Sequence, residues 1–398
     1  MNRIVRRDQE STHQAANVLE LFYDLVFVFA ITQVSHLLLS HLNWTGVVQS
    51  VIALMAVWWS WNYTTWFTDE VDPESNWIRI FLLALMLLSL LMAVALPHAF
   101  GDRATLFAVA YVAIQVGRHG FLTFVAAGPA SIERERAGRI LAWFVVAGIF
   151  WIGGSFADGW TQIWLWIIAV AIDYGAPLAT FWLPGRPRLV GDNWQVAPEH
   201  FTERFQLFIL LALGESIVVT GSTTSDLDLT TSRVFAFAIS FIGSAALWWL
   251  YFSSGAKYSY QYLEYSDDPT ILARDAYTYL HLVLAGSIIL SAVGDEFAIA
   301  HPTHHLTHPQ LAVVVLGPAI YLLAQVLFAW RMAGIVSWIR VLGIVGCLVV
   351  GLIGLSTPAI VVAALLVVVQ IAVIVAQEFV PSQRFGPHPA FAAGHHAA

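Results

Sequence analysis

Two carboxylates four residues apart, Glu20 and Asp24, lie in the first long apolar run of the chain. That spacing puts both on one face of a helix. A charge at mid-bilayer costs about 2.5–3.5 kcal/mol on insertion scales, so each needs a partner, a proton or water. Like charges on one face repel, so either one carboxyl holds a proton or a cation sits between them. Thr32, Gln33 and His36 follow on overlapping faces. This run is the most polar one still long enough to cross a bilayer, which is the pattern of a helix lining water.

Further ionisable groups interrupt other apolar runs. Glu203-Arg204 and Gln206 begin one run, and Gly214-Glu215-Ser216 falls near its middle. Glu203 and Arg204 fit a structural ion pair or a functional one, whereas Glu215 is deep and Gly214 beside it leaves room for a ligand. Asp173 sits four residues before Pro177, whose missing N–H frees the Asp173 carbonyl. It is a kink repair, a partner for a buried arginine, or an ion or proton site. His281 is a hydrogen-bonded core histidine or a titrating one. Gly294-Asp295-Glu296 marks an outer end, with Glu296 retained as a path candidate. Trp58, Trp59 and Trp61 suit packing or a cation–π site. The loop with His301, His304, His305 and His308 could gather a metal by imidazole, but no metal or other cofactor is expected. No phosphate loop, nucleophile elbow or His-Glu-x-x-His helix occurs.

The elements that must position these groups follow from composition. In 398 residues, apolar types make up 59% and charged types 11%. Soluble domains carry about 25% charged residues, so a water-facing surface could not be covered. Disorder is excluded by 17 Trp, 12 Tyr and 25 Phe. The single cysteine, Cys347, excludes a disulfide framework and cysteine-based metal sites. A net charge of −8 argues against a nucleic-acid partner. What remains is an all-α integral membrane protein.

A bilayer core needs about 20 apolar helical residues. Runs of that kind number about twelve, near 18–41, 47–67, 77–99, 104–126, 139–157, 160–183, 201–222, 231–253, 271–298, 310–330, 337–355 and 357–378. With both termini cytoplasmic, 16 of the 18 Lys and Arg fall on the inner side and only Arg103 and Arg233 outside. The positive-inside rule predicts such a bias for the correct topology in a plasma membrane. The expected order is an N-terminal tail at 1–17, six spans over 18–183, a Pro- and Gly-rich linker at 184–200, six spans over 201–378 and a C-terminal tail at 379–398. The tyrosine-dense segment 258–268 suits an interfacial aromatic belt, and the last residues a disordered tail.

The two halves resemble each other. Glu20-Leu-Phe22 matches Glu203-Arg-Phe205, Trp58-Trp59 matches Trp248-Trp249, and Tyr111 and Gln115 match Tyr321 and Gln325. Arg139 and Ser155 recur at one spacing as Arg340 and Ser356. Six spans per half gives two parallel six-helix pseudo-repeats.

The segment Glu20-Leu-Phe-Tyr-Asp24 through Thr32-Gln33 resembles the bacterial low temperature requirement protein A (LtrA) family, as do Trp58-Trp59-x-Trp61, Glu203-Arg-Phe through Gly214-Glu215-Ser216, and Ala292-Val-Gly294-x-Glu296. The resemblance spans about 18–380 and implies a multi-pass plasma-membrane protein. Phe22-Tyr-Asp24-Leu-Val-Phe also looks like the first helix of the lysosomal-type potassium channels built from six-helix repeats. In those, the first helix of each repeat lines the pore. Tyr23 stands here where they carry Ser, and Leu207 where the second Asp would fall.

The leading expectation is a transporter or channel, moving a cation or proton-coupled small solute along helices one and seven. Glu20, Asp24, Glu203 and Glu215 would attract the cation, and Thr32, Gln33 and His36 would carry the path outward. The alternative is a membrane-embedded enzyme or lipid-binding protein acting on a lipid-linked substrate, with Glu20, Asp24 and Arg204 as acid, base and anion clamp. A membrane-state sensor is the third reading. Expected partners are the lipid bilayer and a small ion or solute, with a homo-oligomer left open.

Overall fold

A computed structural model describes residues 17–72, 74–128, 131–189, 196–380 and 385–390. Among these residues the chain is helical, with no strand beyond an isolated bridge between His305 and Pro358. Ten helices are long and apolar enough to cross a membrane: α1 (Val18–Ser40), α3 (Asn76–His98), α4 (Ala104–Ala126), α5 (Ile132–Gly154), α6 (Gly159–Leu178), α7 (Pro198–Ser225), α8 (Thr231–Glu264), α9 (Pro269–Ala300), α10 (His308–Ala333) and α12 (Ala359–Phe379). Two more complete the order, α2 (Trp44–Glu70) and the shorter apolar α11 (Trp338–Gly354). The long α2 is less apolar because its second half is buried in protein, where Ser60, Asn62, Thr64 and Thr65 meet other helices rather than lipid.

Several boundaries depart from those that hydropathy predicts. α5 starts at Ile132, not 139, because Ser131 caps it through the Arg134 N–H and Glu133 and Glu135 favour its positive first turn. Hydropathy locates where lipid begins, not where the helix does. α8 likewise runs on through a π turn at Tyr251–Gly255, so most of the tyrosine-dense segment is helix. α6 stops at Leu178, beyond which Thr180 and Phe181 adopt left-handed backbone at φ 52 and 50. The expected linker loses 198–200 to α7, and 190–195 lies outside the described residues. So do the last eight residues, and with them most of the expected disordered tail.

The chain divides into two compact units, 1–204 and 205–398, with the division inside α7. In the first, α1 packs on α2 and α3, α2 on α4 and α6, and α3 through α6 each on the next. Its centre is aromatic: Trp58, Trp59, Trp61, Trp151 and Trp166 are fully buried, and Trp59 stacks on Tyr174 with centroids 3.8 Å apart. The three α2 tryptophans are therefore packing residues. In the second unit, α8 packs on α9 and α12, α9 on α10, α10 on α11 and α11 on α12. α7 reaches α8 through Gln206, whose Nε2 donates to the Ala256 carbonyl, and α9 through the Phe205 ring against Tyr277 and His281. Trp248 and Trp249, the sequence counterparts of Trp58 and Trp59, are instead outward-facing, at 44% and 49% exposure.

α9 and α10 approach closely where small residues meet, as membrane helices do. A Cβ on Gly317 would lie 2.8 Å from the Ser291 nitrogen and 2.9 Å from its Cα. Gly317→Ala must push two backbones apart and should cost about 1–3 kcal/mol, read as a lowered thermal midpoint in detergent. Gly153→Ala, with nothing within 4 Å of its Cβ, should leave that midpoint unchanged or slightly raised.

Candidate functional site

The most highly charged buried cluster is a knot in the first unit, joining α1, α2 and the start of α7. Each side of it is a pair spaced by four residues: Glu20 and Asp24 on α1, His200 and Arg204 on α7. The Arg204 guanidinium reaches Glu20 Oε1 at 3.0 Å and Asp24 Oδ1 at 2.7 Å, and Nη1 lies 3.5 Å from Thr68 Oγ1. Trp61 Nε1 donates to Asp24 Oδ1 at 2.8 Å. His200 Nε2 lies 3.0 Å from Glu20 Oε2, and its Nδ1 lies 3.2 Å from Asp69 Oδ1. A carboxylate oxygen only accepts, so both ring nitrogens donate and the imidazole carries both protons.

Local structure aims these groups. Glu20 closes a capping box with Asn17, whose N–H donates to Oε2 at 2.9 Å. The Ala197 N–H donates to Asp69 Oδ2 at 3.2 Å as the chain enters α7. Beside the knot, Arg136 of α5 pairs with Glu70 at 2.5 Å. Three carboxylates thus face one guanidinium and one imidazolium, all buried. The two cations offset two of the three carboxylates in place of water, and the cluster holds three helices together.

A second polar column fills the same unit. Arg118 of α4 is fully buried and donates to Thr64 Oγ1 at 2.8 Å, to the Ser60 carbonyl at 3.2 Å and to Gln115 Oε1, with the Tyr63 ring beneath its guanidinium. Tyr23 of α1 bridges Thr64 and Ser89. Asp173 accepts from Tyr111 Oη at 2.6 Å and from Trp151 Nε1 at 3.0 Å, both on Oδ2, while Oδ1 has no hydrogen-bond partner among the described residues. Of the three options for Asp173, neither kink repair nor an arginine partner describes these contacts.

The structure therefore gathers Glu20, Asp24 and Arg204, and separates the other expected site residues from them. Thr32 donates back to the Val28 carbonyl, Gln33 is half-buried, and His36 is exposed some 18 Å along α1 from Asp24. Glu203 is half-buried beside the knot. Gln206, Glu215, His281 and Glu296 lie in the second unit. Glu215 is fully buried in α7. His281 Nε2 shares a hydrogen bond of 2.8 Å with Tyr251 Oη, and its Nδ1 faces the Ala276 carbonyl at 2.9 Å, a hydrogen-bonded core histidine. Among the described residues no group of His, Cys, Asp and Glu could hold a metal. The outer histidine loop is pinned to α12 instead, the Ala359 N–H donating to the His304 carbonyl.

Sequence reasoning missed His200, Asp69 and Asp295. For His200 a signal existed: its spacing to Arg204 repeats that of Glu20 to Asp24 with opposite charge. Asp295 is different. It opens into a small cleft walled by α8, α9, α10 and α12, with Ser244, Ser291, Pro318 and Gln370 among its lining. Ser240 lies within hydrogen-bond reach of Asp295, and Gln370 Oε1 has no hydrogen-bond partner among the described residues.

Removing one member of a buried ion cluster leaves the others uncompensated, at about 3–5 kcal/mol. Arg204→Gln should therefore lower the thermal midpoint sharply or abolish folded yield. Adding Glu20→Gln and Asp24→Asn to that variant should recover part of the loss, measurable as a coupling energy in a mutant cycle.

The model of the family described as bacterial low temperature requirement A protein (LtrA) matches residues 15–375. The uncharacterized protein RA0937 of Rhizobium meliloti (strain 1021) is 35% identical over 340 residues, covering 84% of this chain and 82% of that one. No solved structure matches. With nearly the whole chain matched, from the Glu20–Asp24 face of α1 to the end of α12, this multi-pass membrane protein belongs to the LtrA family.

Proposed function

We propose that the protein is a transporter for a proton or small cation, or for a solute coupled to one, and that Asp295 binds the cation. The carrying observation is the cleft of the second unit. It runs from Asp295 near the end of α9 to Gln370 near the middle of α12, and it combines a carboxyl with hydroxyl and amide oxygens. An ionisable group within the membrane that faces a cleft is the arrangement ion-translocating proteins need, and Ser244, Ser291 and Gln370 give this mainly apolar cleft its polar points. The Glu20–Asp24–Arg204 knot has another part to play: its carboxylates are held by ion pairs to Arg204 and His200, so it anchors α1 and the start of α7. The same matching weighs against the enzymatic alternative, since the proposed acid, base and anion clamp are bound to one another.

We read the chain as a two-repeat, twelve-span arrangement, which the like packing within the two units supports. In each unit the second helix packs on the sixth, and the third through sixth pack in succession. In each, the first helix touches the second and the third. Such duplicated bundles suit alternating access. Both termini are then cytoplasmic, a reading that the Lys and Arg distribution supports.

In proteoliposomes carrying a pH-sensitive dye, or loaded with tracer sodium or potassium, the wild-type protein should give flux. Asp295→Asn should abolish it and Gln370→Leu should reduce it, with thermal midpoints retained. Absence of proton, sodium and potassium flux in the wild type, or full flux in Asp295→Asn, removes the proposal.

A further inference from the structure

Asp173 lies on α6 inside the first unit and is 2% exposed. Both donors that reach it end on one oxygen: Tyr111 Oη of α4 lies 2.6 Å and Trp151 Nε1 of α5 lies 3.0 Å from Oδ2. Oδ1 has no hydrogen-bond partner among the described residues. No cation faces the carboxyl among them either. α4 presents the Tyr111 phenol, α5 the Trp151 indole, and α2 the Trp59 ring, which stacks on Tyr174 next to Asp173. The titratable groups around it are therefore the two phenols, Tyr111 and Tyr174. Arg118, the buried cation of α4, is seven residues beyond Tyr111, about 10 Å along the helix.

A carboxylate spreads its charge over both oxygens, so a bare oxygen in a dry interior leaves half of that charge unanswered. Burying an ion without a counter-ion is far costlier than burying a neutral acid, and a group so placed takes up a proton instead. A neutral acid fits the contacts as they stand. Its carbonyl oxygen accepts two hydrogen bonds, as Oδ2 does, and its hydroxyl needs no donor, as Oδ1 has none. A metal ion in the same place would require several further ligands, and the neighbouring phenol and indole are offered to Asp173 as donors.

We infer that Asp173 is a proton-binding site of the first unit, distinct from Asp295, with the proton on Oδ1 and with Oδ2 as the carbonyl oxygen. Tyr111 gives the site an outlet. Its hydroxyl can both donate and accept, and it stands between Asp173 and Gln115, whose Oε1 accepts from Arg118. Arg118 in turn holds Thr64 Oγ1 and the Ser60 carbonyl of α2. Loss of the proton leaves a negative charge at one end of this chain and a guanidinium at the other. Their attraction pulls on the link between α4 and α2, the helix that also brings Trp61 and Asp69 to the knot. As a coupling ion this proton rests on the transport reading above; its presence on Asp173 does not.

The test is infrared difference spectroscopy on the purified full chain in a maltoside detergent at neutral pH, wild type against variants. Asp173→Asn should remove one carboxylic-acid C=O band, and should remove the same band in an Asp295→Asn background. Tyr111→Phe and Trp151→Phe should each keep that band and move it to higher wavenumber, because one donor leaves the carbonyl oxygen. These two variants keep the test decisive where Asp173→Asn fails to fold. After overnight transfer to heavy water the wild-type band should move to lower wavenumber, as an exchangeable proton requires. The thermal midpoint should stay near that of the wild type in Asp173→Asn, whose amide oxygen accepts from the same two donors, and fall in Asp173→Leu, which strands both. No acid band lost in Asp173→Asn, a carboxylate band lost in its place, a band that neither donor variant moves, or one that keeps its position in heavy water overturns the inference. Absence of proton, sodium and potassium flux in the wild type would remove the coupling role and leave the bound proton standing.

Discussion

Lipid cannot solvate charge, and every ionisable group in these helices must therefore be answered by another protein group. The clearest answer is Arg204, which meets Glu20 and Asp24 together while His200 holds Glu20 and Asp69. About one helical turn of α1 and one of α7, with Asp69 of α2, become a single buried cluster of opposed charges. The positions of α1, α2 and the start of α7 depend on it, because a shift of one turn in any of them would leave a carboxylate facing nothing. The cost of burying these ions makes the geometry specific rather than merely stable.

The same constraint sorts the remaining polar groups by what they can do. Arg118 is met by neutral oxygens and an aromatic face, and Asp173 by a phenol and an indole, so both are built into the first unit. Asp295, Gln370 and Gln325 belong to another class. They line clefts in the second unit, and the Gln370 oxygen lacks a hydrogen-bond partner among the described residues. A polar group that lines a cleft is open to a ligand in a way that one packed between helices is not. The two units thus differ in character, the first with an aromatic centre and interlocked charges, the second with clefts between its helices.

Chain ends and helix ends carry more of the structure than apolar runs suggest. The polar turn Glu133–Arg136 is helix, and Arg136 uses it to reach Glu70. The polar, tyrosine-rich end of α8 is helix as well, and receives the C-terminal segment. Hydropathy alone treats both as loops or interface.

Composition and periodicity determined the class of this protein, its many apolar helices, the polar face of α1 and, through its motifs, its family. These are local properties: transfer of a helix to lipid depends on the residues within it, and a four-residue spacing sets a face whatever lies opposite. Which groups stand opposite was decided only in three dimensions. Glu20 and Asp24 look alike in sequence whether they line water or grip an arginine, and their partners come from residues 180 positions away. Asp295 reads as a helix end until Ser240 and Gln370, from two other helices, are placed beside it. Pairing across helices is non-local, and the energy of a buried charge is set by its neighbours in space, not by its neighbours in the chain.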